Sequence, residues 1–588
     1  MSKTAAHAII DHLVAEGVKY IFICPPTNHS FPFLDALYDR QNEIKPILVR
    51  HEAMAPWMAE AWYRMTGQPG VFHVGAGPAL ANTVIGVMTA YGCGSAIIGI
   101  SGNVNSEFFG RNGMQEIQGK TFAEGHRILE PVVKRLWQVT NAGKMPEVMT
   151  QAFAAATTGR PGPVHIDVPM DVFEQSSPET TRSGARHRPS GLPSASPEQA
   201  AAAFDLIAKA KAPVLLAGGG TIAAKAGANL RALAELMSIP VVTSYTGKGA
   251  LPDDHALAAG PVGAMGVPGA MKAVQEADLV IALGHRFGEH STCGWEVGLP
   301  YSFPPAKLIQ IDIDPVEIGR YYPVEIGLQA DINATLGQWI ELARKRGLRD
   351  GLKDGPRERT TRERRQADRD RMKPHLSDNT GPIRPERLVA ELRAALGRNA
   401  VMIPDAGNNG NYFNTLWDVY EPGTYIADRG SAAMGYAPAA ALGVKLAEPD
   451  RDVVAVTGDG CMTQVNWVLG TAAEYNIPAK FVVINDSALG GCLGAQNGIF
   501  DGRVLGTRFE YHNNSGPYDQ DFAMLARSYG VEGKRVTSPD ELAGAIAEML
   551  AHPAPYVLDV VIDKTARPIG AGRIPLSNIR QSRVSTLV

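Results

Sequence analysis

Nowhere does the chain run to the roughly 20 uninterrupted apolar residues that a membrane-crossing helix requires, and its longest apolar runs are strand-sized. No membrane role is expected. Cysteine is scarce: Cys24, Cys93, Cys293, Cys461 and Cys492 are scattered, with neither metal-ligand pairing nor the spacing of a disulfide framework. They read as buried thiols in a reducing compartment. An excess of either charge is also missing, since 56 Lys and Arg against 60 Asp and Glu leave a formal net charge of -4. Such a chain has no broad positive field to gather phosphate backbone, which argues against nucleic acid as its main partner. The opening MSKTAAHAIIDHLVAEGVKY mixes acidic residues with apolar ones at helical spacing, unlike the basic and apolar blocks of a secretion signal, so a cytoplasmic protein is expected. Composition is otherwise that of a folded globular protein, 45% hydrophobic and 20% charged, and 588 residues suggest about three domains. Small-molecule chemistry is the class left standing.

Three stretches repeat one pattern. YIFIC, PILVR, GVFHVGAG and SAIIGISG alternate with helical segments and close at GRPGPVHIDVP, giving a doubly wound parallel-sheet domain over 1–175. The Pro-, Ser- and Gly-rich SSPETTRSGARHRPSGLPSASP then reads as a linker. APVLLAGGG, IPVVTSY, ADLVIALG and KLIQIDIDP outline a second such domain over 195–345. The charged run that follows, 346–380, reads as a solvated helical linker. AVMIPDAG, DVVAVTGDG, AKFVVIND and PYVLDVVID outline a third domain over 381–565, and 566–588 is a tail or a lid. The fold class expected is α/β, with three doubly wound parallel-sheet domains.

The strongest local signal is VVAVTGDG followed by FVVINDSALGG. A strand ending in Gly458-Asp459-Gly460 sets a carboxylate at the carboxyl edge of a parallel sheet, where open α/β folds bind ligands. The next strand delivers Asn485 and Asp486, and Asp486 lies 27 residues beyond Asp459, enough for one helix and a return strand. Mg²⁺ takes one or two carboxylates together with phosphate oxygens, so the pair predicts a bound diphosphate. GDG alone is commonly an ordinary turn; the pair downstream is what gives it meaning.

These motifs resemble those of the thiamine-diphosphate enzyme superfamily, and the resemblance covers nearly the whole chain. It implies that the three domains bind the cofactor's pyrimidine, carry a nucleotide, and bind its diphosphate with Mg²⁺. It implies Asp459, Asp486 and the Ala488 carbonyl as metal ligands, with Asp486 standing where the family usually has Asn. Glu52, in VRHEAMAPWMAEAWYRMTG, matches the glutamate that hydrogen-bonds the aminopyrimidine and drives carbanion formation on the cofactor. Gly77, Pro78 and Asn82 in GAGPALAN and Gln115 in GMQEIQ resemble loops of the acetolactate synthase branch. Gly407, Asn408 and Asn409 in DAGNNG match the diphosphate loop, and Met434 matches the apolar residue under the thiazolium. GGGTIAA, SYTGKGALPDDH, GHRFGEHST and IDIDP stand where that branch holds FAD, although its GMHG reads GAMG here. A homodimer or homotetramer with active sites between subunits is implied as well.

The departures concern substrate. The first cofactor-facing loop, FICPPTNHSFPFLDAL, replaces the branch's glycine pair and introduces His29, whose unperturbed pKa near 6.5 suits proton relay. His73 is a second candidate. Gly491, Cys492 and Ala495 stand where the branch carries Met, Val and Trp, which opens the acceptor pocket. The expected activity is a carboligase or decarboxylase acting on 2-oxo acids or related carbonyl compounds. The alternatives are a hydrolytic lyase of cyclic 1,2-diketones, a flavin-using 2-oxo acid oxidase, and a non-catalytic relative; retention of Glu52 and Asp459 weighs against the last.

Overall fold

The computed structural model describes residues 3–24, 27–117, 124–178, 187–348, 355–428, 430–513 and 515–572. Among them the strands form three sheets whose neighbours all run parallel, in agreement with the α/β class expected. The central strands are short and buried on both faces, as sheets covered by helices on both sides require, whereas several outer strands are more polar and partly exposed.

The first sheet contains β1 (Tyr20–Ile23), β2 (Lys45–Leu48), β3 (Gly70–Val74), β4 (Ile97–Asn103), β5 (Arg135–Gln138) and β6 (Val164–Pro169), ordered β2-β1-β3-β4-β6-β5. The strand order reverses between β1 and β3, so the loops that leave those two strands flank a crevice. The second sheet contains β7 (Pro213–Ala217), β8 (Val241–Thr243), β9 (Ala258–Pro261), β10 (Leu279–Leu283), β11 (Lys307–Asp312) and β12 (Ile326–Gln329), ordered β12-β11-β10-β7-β8-β9. That is the strand order of dinucleotide-binding sheets, with its crevice between β7 and β10. The third contains β13 (Val401–Pro404), β14 (Val453–Gly458), β15 (Lys480–Asn485), β16 (Glu532–Val536) and β17 (Tyr556–Val561), ordered β13-β14-β15-β17-β16.

The first and third sheets share one hydrophobic core, which joins Phe22, Trp57 and Phe72 to Tyr436, Leu442 and Phe481. Its centre is the crossing of the Met54–Thr66 helix with the Tyr436–Ala447 helix. The helices touch so closely that a Cβ on Gly443 would collide with the Met58 carbonyl. A buried polar group fixes the crossing: Tyr436 Oη donates to Glu60 Oε2 at 2.6 Å and Ser95 Oγ to Glu60 Oε1 at 2.8 Å. Burial pushes the Glu60 carboxyl up, against the pull of Arg64. Replacing Tyr436 by Phe strips one donor from a buried carboxyl; we expect a loss of about 1–3 kcal/mol, read as a lowered unfolding midpoint.

The charged run is more than a solvated linker. It forms the Pro356–Leu376 helix, on which Thr361, Asp368 and Met372 are buried. Asp368 accepts the Gly269 amide at 3.1 Å, and Arg365 pairs with Asp418 at 3.1 Å, so the helix ties the second sheet's domain to the third's. No helix among the described residues is long and apolar enough to cross a membrane.

Candidate active site

At the carboxyl edge of the third sheet, β14 ends at Gly458 and a helix begins on Asp459, while β15 ends at Asn485. Asp459 is buried. Its Oδ1 accepts the Gly460 amide at 2.6 Å and its Oδ2 the Ala488 amide at 3.2 Å, so the turn after β15 is hydrogen-bonded to the GDG turn. Asn485 is already committed, donating to Asp559 at 3.0 Å and to the Gln520 carbonyl at 2.9 Å. Asp486 is therefore the carboxylate left to face Asp459. A Cβ on Gly490 would collide with its Oδ2, which explains a glycine at that place. Burial, and then the charge of Asp486, push the Asp459 carboxyl up to about 7. Burial pushes Asp486 up to about 6, with Arg567 and Lys564 pulling it back. Two raised carboxyls and a nearby backbone carbonyl are hard oxygen donors that a Mg²⁺ ion would relieve of mutual repulsion. Among the described residues no group of three or more His, Cys, Asp and Glu gathers as an all-protein metal cage. A shared site, completed by phosphate oxygens, is what this donor set fits.

The DAGNNG loop lies beside it. Gly407 has φ 97°, and the Asn408–Leu416 helix starts directly after it. The Asn408 amide reaches to the start of the Gly490–Ile499 helix, where its Nδ2 would lie 3.4 Å from a Cβ on Gly490. Asn409 Nδ2 is buried without a hydrogen-bond partner, a donor available to an anion. Asp405 holds these parts together: it accepts the amides of Ala406 at 2.8 Å and Gly435 at 3.0 Å and the Thr457 hydroxyl at 2.8 Å. Met434 lies in the turn before the Tyr436–Ala447 helix and is half-buried. A Cβ on Gly460 would come within 3.5 Å of the Met434 methyl and 2.7 Å of Leu489, so the second glycine of GDG keeps that space open.

The first sheet presents the other set. Glu52 lies in the turn between β2 and the Met54–Thr66 helix, half-buried, and its Oε2 accepts from Asn82 Nδ2 at 2.9 Å. Buried Cys24, at the end of β1, is also hydrogen-bonded to Glu52; burial and that carboxylate push the thiol up. Gly77 (φ 58°) precedes the short Pro78–Asn82 helix, and a Cβ there would collide with the Gln115 carbonyl. Gln115 itself has φ 70°, and its Oε1 is buried without a partner. Any side chain at 77 would separate these loops, so Gly77→Val should cut cofactor affinity by on the order of tenfold or more in a fluorescence titration.

His29 is buried on the loop after β1, with Nδ1 2.7 Å from the Thr27 hydroxyl. Its carbonyl lies against Gly102 at the end of β4. Burial lowers its pKa, so the imidazole is neutral at neutral pH. His73 is a different case. It is fully buried in β3, stacked on Phe33 with ring centroids 4.0 Å apart, and burial pushes its pKa down to about 3. It is a core histidine.

Comparison with known proteins settles the family. Models of the thiamine pyrophosphate enzyme match in chain order: the N-terminal TPP binding domain over residues 3–122, the central domain over 200–339 and the C-terminal TPP binding domain over 405–560. The chain is 35% identical over 570 residues to a probable acetolactate synthase large subunit of Methanocaldococcus jannaschii, covering 95% of this chain and 92% of that one. The chain belongs to the thiamine-diphosphate enzymes. It is 33% identical to the acetolactate synthase large subunit of Corynebacterium glutamicum, with 96% and 87% covered, and 32% identical to that of Haemophilus influenzae, with 96% and 95% covered. It is thus a thiamine-diphosphate-dependent, acetolactate synthase-like enzyme that works on carbon–carbon bonds.

Several residues near this site escaped sequence reasoning. Asp405 was visible only as part of DAGNNG. Cys24 read as a plain buried thiol, and of the five cysteines Cys93 is half-buried and Cys492 exposed. Lys564 donates to Ser487 at 3.0 Å, and Arg567 packs against Gly494. The start of the tail is seated on the central domain, where the Ala571 amide donates to the Gly266 carbonyl at 2.8 Å. The rest of 566–588 lies outside the described residues.

Proposed function

We propose that the enzyme is a carboligase or decarboxylase that takes a 2-oxo acid or related carbonyl donor and has a wider acceptor pocket than pyruvate demands. The observation that carries the pocket reading is the start of the Gly490–Ile499 helix. Gly491 and Cys492 are exposed on its first turn and Ala495 is half-buried, so none of these three positions carries a bulky side chain.

Thiamine diphosphate supplies, when bound, a carbanion equivalent and an electron sink for the carbonyl carbon. Asp459, Asp486 and the Ala488 carbonyl would hold its Mg²⁺. The Gly407–Asn409 loop and the unpartnered Asn409 amide would receive the diphosphate, with Gly458 and Gly460 leaving the room for it. Met434 would support the ring system. Glu52, oriented by Asn82 and Cys24, would share a proton with the aminopyrimidine, while the Gly77-Pro78 turn and Gln115 line that side. His29, neutral and fixed by Thr27, would pass a proton to or from a substrate oxygen.

FAD in the central domain is part of the same reading. Its support is the β7/β10 crevice, where Gly218 and Gly284 meet so closely that a Cβ on Gly218 would collide with the Gly284 carbonyl. The Thr243 hydroxyl is buried without a partner there at the end of β8, and Asp312 is raised to about 6 by burial at the end of β11. Mass spectrometry of the denatured holoprotein should release FAD beside thiamine diphosphate. A homodimer or larger assembly is supported by exposed Ile85, Met88 and Tyr91 at three-residue spacing on one helix face. A cytoplasmic setting is supported by five unpaired cysteines.

The test of substrate is a panel of 2-oxo acids and aldehydes. We expect only slow acetolactate formation from pyruvate alone and faster turnover with a bulkier acceptor. Ala495→Trp should cut the bulkier reaction by on the order of tenfold or more. Rapid acetolactate formation at low pyruvate would contradict the wider pocket.

A further inference from the structure

The first sheet carries a buried polar chain that the proposed mechanism does not use. Asp167, on β6, is 1% exposed. Its Oδ1 accepts from Ser101 at 2.7 Å and its Oδ2 from Asn103 at 2.7 Å, with Gln138 Nε2 at 3.4 Å. His165, two residues earlier, reaches the same Ser101 hydroxyl at 2.9 Å. His126, on the short 3₁₀ helix Gly125–Val132, covers the end of this chain. Its Nδ1 is buried without a hydrogen-bond partner, 3.8 Å from Asp167 Oδ2. The two face a narrow cavity with room for about one water molecule, whose walls include Gly77, Gly102 and Glu116.

A short run of contacts leads from this pair to the cofactor-facing loop. Gly125, next to His126, packs on Ile117, where a Cβ would lie 2.6 Å from the Ile117 Cβ. Two residues before Ile117 is Gln115, whose carbonyl presses on Gly77. Glu116 fixes the segment from outside by accepting the amides of Gly110 at 2.8 Å and Gly113 at 3.2 Å.

We propose that His126 and Asp167 are positioning residues: buried side by side across the one-water cavity, the pair holds the segment that carries Gln115 against the sheet and so sets the pyrimidine side of the site. The inference rests on the reading of Gly77 and Gln115 as cofactor-facing. Three donors hold Asp167 in place as an acceptor, while burial raises its carboxyl against the pull of His126. The other titratable groups around His126 are His165 on β6, Glu116 on the cavity wall and Glu130 on its own helix.

The experiment is a fluorescence titration of the full-length apoprotein with thiamine diphosphate and excess Mg²⁺. Wild type, His126→Gln, Asp167→Asn and the double variant are compared. The expected result is that each single variant weakens binding about fivefold and the double variant no more than either single, the coupling of two residues that act as one unit. All three should keep unfolding midpoints high enough for the titration. Losses that add in the double variant, as from two separate structural roles, or no loss in either single variant, would overturn the proposal. Failure of the wild type to bind thiamine diphosphate at all would sink the cofactor-site reading first and this inference with it.

Discussion

Glu52→Gln is expected to lower turnover by roughly 10² to 10⁴, the range for loss of a positioned acid–base group, while leaving cofactor binding within a few fold. Gln keeps the size of the side chain and can still meet the Asn82 amide that contacts Glu52 at 2.9 Å. It cannot exchange a proton with a ring nitrogen. The effect should therefore fall on kcat, measured by the rate of donor consumption at saturating substrate, with KM little changed. A large loss of affinity instead would mean that Glu52 serves the loop and not the proton.

The second large effect separates the two carboxylates of the proposed metal site. Asp459→Ala removes an oxygen donor and the acceptor of the Gly460 and Ala488 amides, so it should abolish Mg²⁺-dependent cofactor retention, a loss on the order of a hundredfold or more. Asp486→Asn behaves differently. It installs the residue the family more commonly has, keeps an oxygen donor, and removes the charge that helps push Asp459 up to about 7. We expect it to retain cofactor within about tenfold of wild type, and Asp486→Ala to lose it. Gel filtration in Mg²⁺ followed by cofactor quantitation distinguishes the three variants.

How much of this was legible in the sequence depends on range. The three sheets were, because parallel strands buried on both faces leave short apolar runs that end in Gly, Asp or Asn at the edge where ligands bind. So was the approach of Asp486 to Asp459, since helix and return strand suit the spacing, although two short helices, Asp459–Val465 and Val468–Glu474, fill the place of the one expected. What the sequence could not reveal were choices made by contacts between distant segments. Asn485 and Asp486 are adjacent and both suit a metal, and only the contacts of Asn485 with Asp559 and Gln520 leave Asp486 free. His29 and His73 look alike in sequence, yet one is tied to a loop hydroxyl and the other stacks inside the core. Met434 matched its role by alignment alone; it sits in a turn because the Asp405 carboxylate captures the amide of Gly435. The Pro356–Leu376 helix looked solvated, and its few anchoring contacts, Asp368 with Gly269 and Arg365 with Asp418, are hidden in a run of charge.

The claim that joins these observations is that Glu52 acts on a cofactor anchored by Asp459 and Asp486. It is tested most directly, without knowing the substrate, by the rate at which bound thiamine diphosphate exchanges its thiazolium C2 hydrogen for deuterium, followed by acid quenching and NMR. The account predicts exchange in the wild type faster than in free cofactor by roughly 10² or more, and a return toward the free rate in Glu52→Gln with the cofactor still bound. Equal exchange rates in wild type and Glu52→Gln would contradict it.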